Sequence, residues 1–146
     1  MRLAVGSDEA THLTETVLRE LRDRGHDVVP MGALAPGDDA RWPAVGRRVG
    51  EAVASGRCDQ GIVLCYTGTG VSIAANKVPG VRAALCGDAQ TAAGARRWND
   101  ANVLAMSLRG TSGEVAREIL EAWFATPPAT GEDAEMVTML EQRTQA

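Results

Sequence analysis

Five short, continuously apolar runs, each followed by a segment of helical period, constrain this chain more than any other feature. The runs are "RLAVGSD" (2–8), "DVVPMG" (27–32), "CDQGIVLCYTG" (58–68, its strand ending at Cys65), "GVRAALCG" (80–87) and "NVLAMS" (102–107). Between them lie helical segments. Residues 11–25 carry apolar side chains at 13, 17, 18 and 21 and stop at Gly25. Residues 44–57 follow a loop (35–43) that ends in Pro43, a residue suited to a first helical turn. Residues 70–77 open at glycines, 88–99 follow the fourth strand, and 112–126 begin at the capping residue Ser112. Strands without polar alternation are buried on both faces, which calls for a parallel sheet between two helical layers. The expected fold class is therefore α/β: a Rossmann-like, doubly wound three-layer sandwich with a five-stranded parallel sheet. A Pro-Pro break (127–131) precedes a last helix at 132–144. Residues 1–126 read as the α/β body. Residues 127–146 read as a C-terminal helix of the same domain, placed to pack on a partner subunit.

Composition narrows the function. The 146 residues suit a single domain, and with aromatics at 3 % its core must be built from Ala, Val, Leu and Ile. A net charge of −4 without a Lys/Arg block argues against nucleic acid or an anionic membrane as partner. No apolar run approaches a membrane span, and "MRLAVGSDEA" has no signal-peptide layout. Three cysteines without CxxC spacing suggest neither a disulfide framework nor a zinc site. The expectation is a cytoplasmic protein with reduced thiols and no metal.

In doubly wound folds ligands sit at the carboxyl ends of the strands. Those ends carry Asp8, Cys65 to Gly70, Cys86 to Asp88 and Ser107 to Arg109. The stretch "CYTGTG" is the richest of them. Gly68 and Gly70 permit close backbone approach, and the following helix N-terminus offers free N–H groups and a positive dipole end. A developing oxyanion or a phosphate is stabilised in such a place. The phosphate-loop pattern is absent, and the dinucleotide pattern fails at Ile73. A thiol beside a helix N-terminus can act as base or nucleophile. On spacing alone, a plain strand-to-helix turn fits equally, and a lone cysteine reads first as a small buried packing residue. Cys58 and Cys86 read as packing residues.

The segments "GIVLCYTGTGVSIAANKVPGVRAALCGD" and "RRWNDANVLAMSLRG" resemble the ribose-5-phosphate isomerase type B and galactose-6-phosphate isomerase family, from "GSD" (6–8) through "AW" (122–123). The resemblance implies cofactor-free and metal-free aldose–ketose isomerisation through a cis-enediolate. It also implies a homodimer or homotetramer with active sites shared between subunits. Cys65 matches the family base and Thr67 the residue that moves a proton between oxygens. Gly68, Gly70 and Asn99 match the groups around the enediolate oxygen, and Asp8 matches the residue that binds substrate hydroxyls. Arg109 matches one family arginine.

Departures from the family fall where substrate is recognised. The ring-opening histidine of the family, which the resemblance assigns to the partner subunit, is Trp98 here, and indole cannot shuttle a proton as imidazole does. The first-loop histidine is Glu9, and the two C-terminal arginines are Glu132 and Met136. A phosphate dianion meets carboxylates where the family offers cations. Tyr66 replaces a glycine, and Trp42, Tyr66 and Trp98 are candidates to line one aromatic pocket. His12 reads as a surface residue and His26 as a turn residue. Asn76 and Lys77 read as structural, Asp100 as a brace of its loop, and Arg96 and Arg97 as a solvated pair. The expected function is an aldose–ketose isomerase with a cysteine base and an altered, non-phosphorylated or open-chain sugar substrate. The alternatives are ribose 5-phosphate isomerisation in a modified pocket, and one subunit of a hetero-oligomeric isomerase or a non-catalytic homologue.

Overall fold

Each apolar run forms a strand because its branched side chains pack on both faces at once. The structure, a computed structural model, describes residues 1–145, with side chains through Gln142. The strands are β1 (Arg2–Ser7), β2 (Asp27–Gly32), β3 (Gln60–Cys65), β4 (Ala83–Leu85) and β5 (Val103–Ser107). The helices are α1 (His12–Asp23), α2 (Trp42–Ala54), α3 (Thr69–Asn76), α4 (Ala89–Asn99), α5 (Gly113–Ala125) and α6 (Gly131–Gln145). The five strands form one parallel sheet in the order β2-β1-β3-β5-β4. This is the Rossmann-like doubly wound sandwich that the alternation predicts. Ala146, the last residue of the C-terminal segment, lies outside the described residues.

Strand alternation divides the interior into two cores. Leu3, Val5, Ile62, Leu64, Leu104 and Met106 face one side and pack with buried residues of α1, α4 and α5, among them Val17, Leu21, Ile119 and Trp123. Ala4, Val63, Cys65, Val103 and Ala105 face the other side and meet α2 and α3 through Val45, Val49, Val71 and Ala75. The side chain of Cys65 thus belongs to the α2/α3 layer. Cys58 and Cys86 are buried free thiols, as their packing role requires.

Local chemistry sets the element ends. Thr11 and Thr14 form a reciprocal capping box at α1, and Ser112 and Asp88 cap α5 and α4 through their side chains. Trp42 and Pro43 start α2 two residues earlier than the sequence pattern suggests. The fourth run shrinks to three strand residues because the preceding turn is bound elsewhere. The Asn102 amide donates to the Gly80 carbonyl (3.0 Å), and its oxygen accepts from the Arg82 amide (2.8 Å). Edge strand β2 carries Pro30, opposite Val5 of β1. Among the described residues, no helix is long and apolar enough to cross a membrane.

One charged residue overturns the sequence expectation. Arg96 is buried rather than solvated, 8 % exposed. Its guanidinium donates to the Ala101 carbonyl (2.6 Å) and lies over the Trp123 ring (5.5 Å). Burial pushes its pKa down. Asp100 braces the same turn in a left-handed conformation (φ 47°), close to Arg96 and Arg82.

Candidate active site

The strand order reverses direction between β1 and β3. The chain leaves β1 for β2 on one side, then returns to place β3 on the other. At such a switch point the connections diverge and leave a crevice at the carboxyl ends of the strands. Asp8 follows β1 and Cys65 ends β3, so the two flank that crevice. The Asp8 amide donates to the Leu64 carbonyl (3.3 Å), which ties the first loop to the neighbouring strand end.

A cavity of ≈ 370 Å³ opens here, lined by Asp8, Trp42, Cys65, Tyr66, Thr67, Thr69 and Gly70. Cys65 is 5 % exposed and lines this opening. Its carbonyl accepts from the Leu108 amide (2.9 Å). The Tyr66 carbonyl accepts from the Arg109 amide and the Ser107 hydroxyl, both at 3.0 Å. These bonds pin the loop against the end of β5. The hydroxyls of Thr67 and Thr69 are hydrogen-bonded to each other at 2.7 Å. Thr69 is the one residue of this wall that the sequence reading missed, and the repeated hydroxyl of "TGTG" was its signal.

Gly68 makes the turn possible. It precedes α3 with φ 79°, and a Cβ there would lie 2.6 Å from Leu85 and 2.9 Å from the Met106 carbonyl group. No side chain caps α3, which leaves its N-terminus open toward the cavity residues Thr69 and Gly70. Gly70 lets the Trp42 indole lie against the helix, since a Cβ would stand 3.0 Å from two ring carbons.

Asp8 is the polar group least satisfied by the protein. Its Oδ1 is buried without a hydrogen-bond partner. Desolvation first, and the charge of neighbouring Glu9 second, raise its pKa above the ordinary carboxylate value. A bound hydroxyl donor would satisfy that oxygen. Arg109 stacks over the Tyr66 ring (5.7 Å), so one cation stands at the rim.

The remaining sequence candidates are elsewhere. Glu9 follows Asp8, and its amide donates to the Ser7 hydroxyl (3.3 Å), but it does not line the cavity. Trp98 and Asn99 line a separate cavity with Asp88 and Gly94, and a Cβ at Gly94 would lie 2.8 Å from the Trp98 ring. The Cys65 cavity of one chain thus holds Trp42 and Tyr66, and Trp98 stands at a position that the resemblance assigns to a partner subunit's site. The separation within one chain follows from direction. Crossover helices run antiparallel to the strands they join, so the C-terminal end of α4 lies at the edge opposite Cys65. Glu132 and Met136 are exposed on α6, which packs on α4, and they are also away from the cavity. The structural readings of Asn76 and His26 hold. Asn76 exchanges two hydrogen bonds with the Ala83 backbone (2.8 and 3.0 Å). The His26 ring packs on Phe124 beside the N-terminus (4.5 Å).

A buried thiol, a hydroxyl pair and an open helix end meet at a switch point, where doubly wound α/β proteins place their ligand sites. Residues 3–140 match the model of the Ribose/Galactose Isomerase family. The chain is 36 % identical over 146 residues to Ribose-5-phosphate isomerase B of Escherichia coli (strain K12), covering 97 % of each protein. It is 37 % identical over 125 residues to the D-erythrulose-4-phosphate isomerase of Pectobacterium atrosepticum, covering 85 % of this chain and 82 % of that protein. The structure of Clostridium thermocellum Ribose-5-Phosphate Isomerase B superposes with a TM-score of 0.91 at 37 % identity, covering 99 % of this chain and 98 % of that one. The chain belongs to the ribose/galactose isomerase family. It is an aldose–ketose isomerase.

Proposed function

We propose that Cys65 is the base of this isomerase and that its substrate is an open-chain sugar. The observation that carries the reading is the shared cavity: Cys65 lines it together with Asp8, the paired hydroxyls of Thr67 and Thr69, two aromatics and an open helix N-terminus. The thiolate takes the proton alpha to the carbonyl and a cis-enediolate forms. Negative charge on its oxygen faces the amides at Gly68 and Gly70. Thr67, bonded to Thr69, passes a proton between the two oxygens. Cys65 returns its proton to the neighbouring carbon. Asp8 accepts a substrate hydroxyl through its unpartnered oxygen.

No histidine lines this cavity to open a sugar ring as the family's does, and Trp98 cannot replace it from a second subunit. Open-chain substrates need no such group. A four-carbon sugar esterified on its terminal hydroxyl cannot close a five-membered ring, and one relative is named for such a compound. The second reading, ribose 5-phosphate isomerisation, is favoured by the names of other relatives. We further propose that α6 packs on a second copy, because Met136 and Met139 expose 57 and 64 % of their surface about one helical turn apart.

Proton NMR in heavy water tests the mechanism. Free and phosphorylated tetroses and pentoses are compared for exchange of the alpha hydrogen. Exchange with a four-carbon compound, lowered roughly 10²–10⁴-fold in Cys65→Ala, is the expected result. Undiminished exchange in that variant removes Cys65 as the base. Faster exchange with ribose 5-phosphate than with any tetrose rejects the open-chain reading.

A further inference from the structure

The cavity at Cys65 has a larger neighbour. A second cavity of ≈ 580 Å³ lies at the start of α2 and is lined by Asp8, Asp39, Arg41, Trp42, Ala44 and Arg47, among others. Asp8 and Trp42 line both cavities, so they border one another across these two side chains. From this adjacency we infer that a phosphate monoester at the far end of the substrate is held by Arg41 and Arg47. The inference rests on the isomerase reading of Cys65 and supplies what the sequence comparison left missing. The positions expected to bind phosphate carry Glu9, Glu132 and Met136, and none of them lines the cavity.

Arg41 is already oriented. Its Nε and Nη2 grip the Asp39 carboxylate at 2.9 and 2.6 Å, and the Arg41 amide bonds the same carboxylate at 3.0 Å. That uses one edge of the guanidinium and leaves Nη1 for a ligand. The pair is exposed and contributes little to stability, but it fixes the fork. Arg47 is held only loosely, 3.9 Å from Glu51, and its side chain is 64 % exposed. It is free to swing onto an anion. The first turn of α2 has no acidic residue and no side-chain cap, so no carboxylate or hydroxyl of its own competes there. A guanidinium fork with a free edge suits a phosphate, and a second arginine about a turn and a half further on supplies the charge a dianion needs. Asp39 is occupied by Arg41. Asp8, at the shared wall, faces the carbon chain and accepts a hydroxyl. An acyclic substrate would then lie past Trp42, with its carbonyl end at Cys65 and its ester end between the arginines.

Two measurements decide this. In the first, isomerisation of a sugar phosphate and of the matching free sugar is followed in wild type, Arg41→Ala, Arg47→Ala and Arg41→Lys. Loss of a charge-assisted bond should raise KM for the ester by about tenfold to a hundredfold with little change in kcat. The preference for ester over free sugar should fall by the same factor, and Arg41→Lys should recover part of it. An unchanged preference overturns the site, while Cys65-dependent turnover leaves the isomerase reading standing. In the second, inorganic phosphate is titrated into 15N-labelled protein. Saturable shifts at the amides of Arg41, Trp42, Ala44 and Arg47, abolished in the Arg41→Ala/Arg47→Ala protein, support the site even if no sugar is turned over. Shifts centred on Arg109, or none, overturn it.

Discussion

At the scale of residues, the site depends on positions where one atom decides the geometry. Gly68 holds φ 79°, and its missing Cβ makes room for Leu85 and the Met106 backbone. Gly68→Ala should cost about 2 kcal/mol or more, seen as a lower denaturation midpoint in urea, and should displace Thr67 and the helix start together. Asp8 makes a different prediction. Its carboxyl keeps its proton to a higher pH in the folded chain than the ordinary value of 3.8 allows in the unfolded one. Stability from this group is therefore complete below 3.8 and is lost as pH rises through the raised folded value. Asp8→Asn should raise Tm at pH 7 relative to wild type and leave it nearly unchanged at pH 3, while activity falls. A Tm profile that is identical in the two proteins would contradict the buried, unpartnered oxygen as a source of strain.

Elements show how far sequence reasoning reached. All five strands were legible because double-sided burial imprints an unbroken apolar run. Cys65, Tyr66, Thr67 and Gly70 were legible as neighbours because they are consecutive with a strand end. Asp8 was legible because its strand shares the same rim. Trp98 was legible only through the resemblance, as a residue for a partner subunit's site, and in its own chain it stands near the end of α4 and lines a different cavity. Arg96 was misread because charge alone does not reveal that a Trp and a carbonyl wait for it. The last helix was legible as an element, while its seat was not. Arg82 donates to Glu141 at 2.6 Å and to the Asp100 carbonyl at 2.8 Å, which fastens α6 beside α4. Glu141→Ala should weaken this seat by about 1 kcal/mol and speed amide hydrogen exchange in α6 alone. Uniform acceleration across the sheet would show that the helix supports the whole body instead.

For the whole molecule, the position of Trp98, Asn99 and α6 matters most. None of them lines the proposed Cys65 site of their own chain, so any role they have in such a site falls to another copy. Sedimentation should report a species heavier than one chain. Removing residues 131–146 should shift it toward the monomer if α6 forms the contact. Mixing Cys65→Ala with Asn99→Ala should restore activity that neither has alone if copies share sites. Activity that stays at the level of the separate proteins would confine each site to one chain.

The two margins of the sheet carry a consequence for behaviour at high concentration. One is β2, interrupted by Pro30, and the other is β4, only three residues long. Proline removes a donor from the outer row of backbone groups, and three residues make too short a template for a foreign strand to join. Growth of the sheet from chain to chain, the first step toward fibrils, is therefore blocked at both ends. Contact between crowded copies is thus expected through helical surfaces rather than by extension of the sheet.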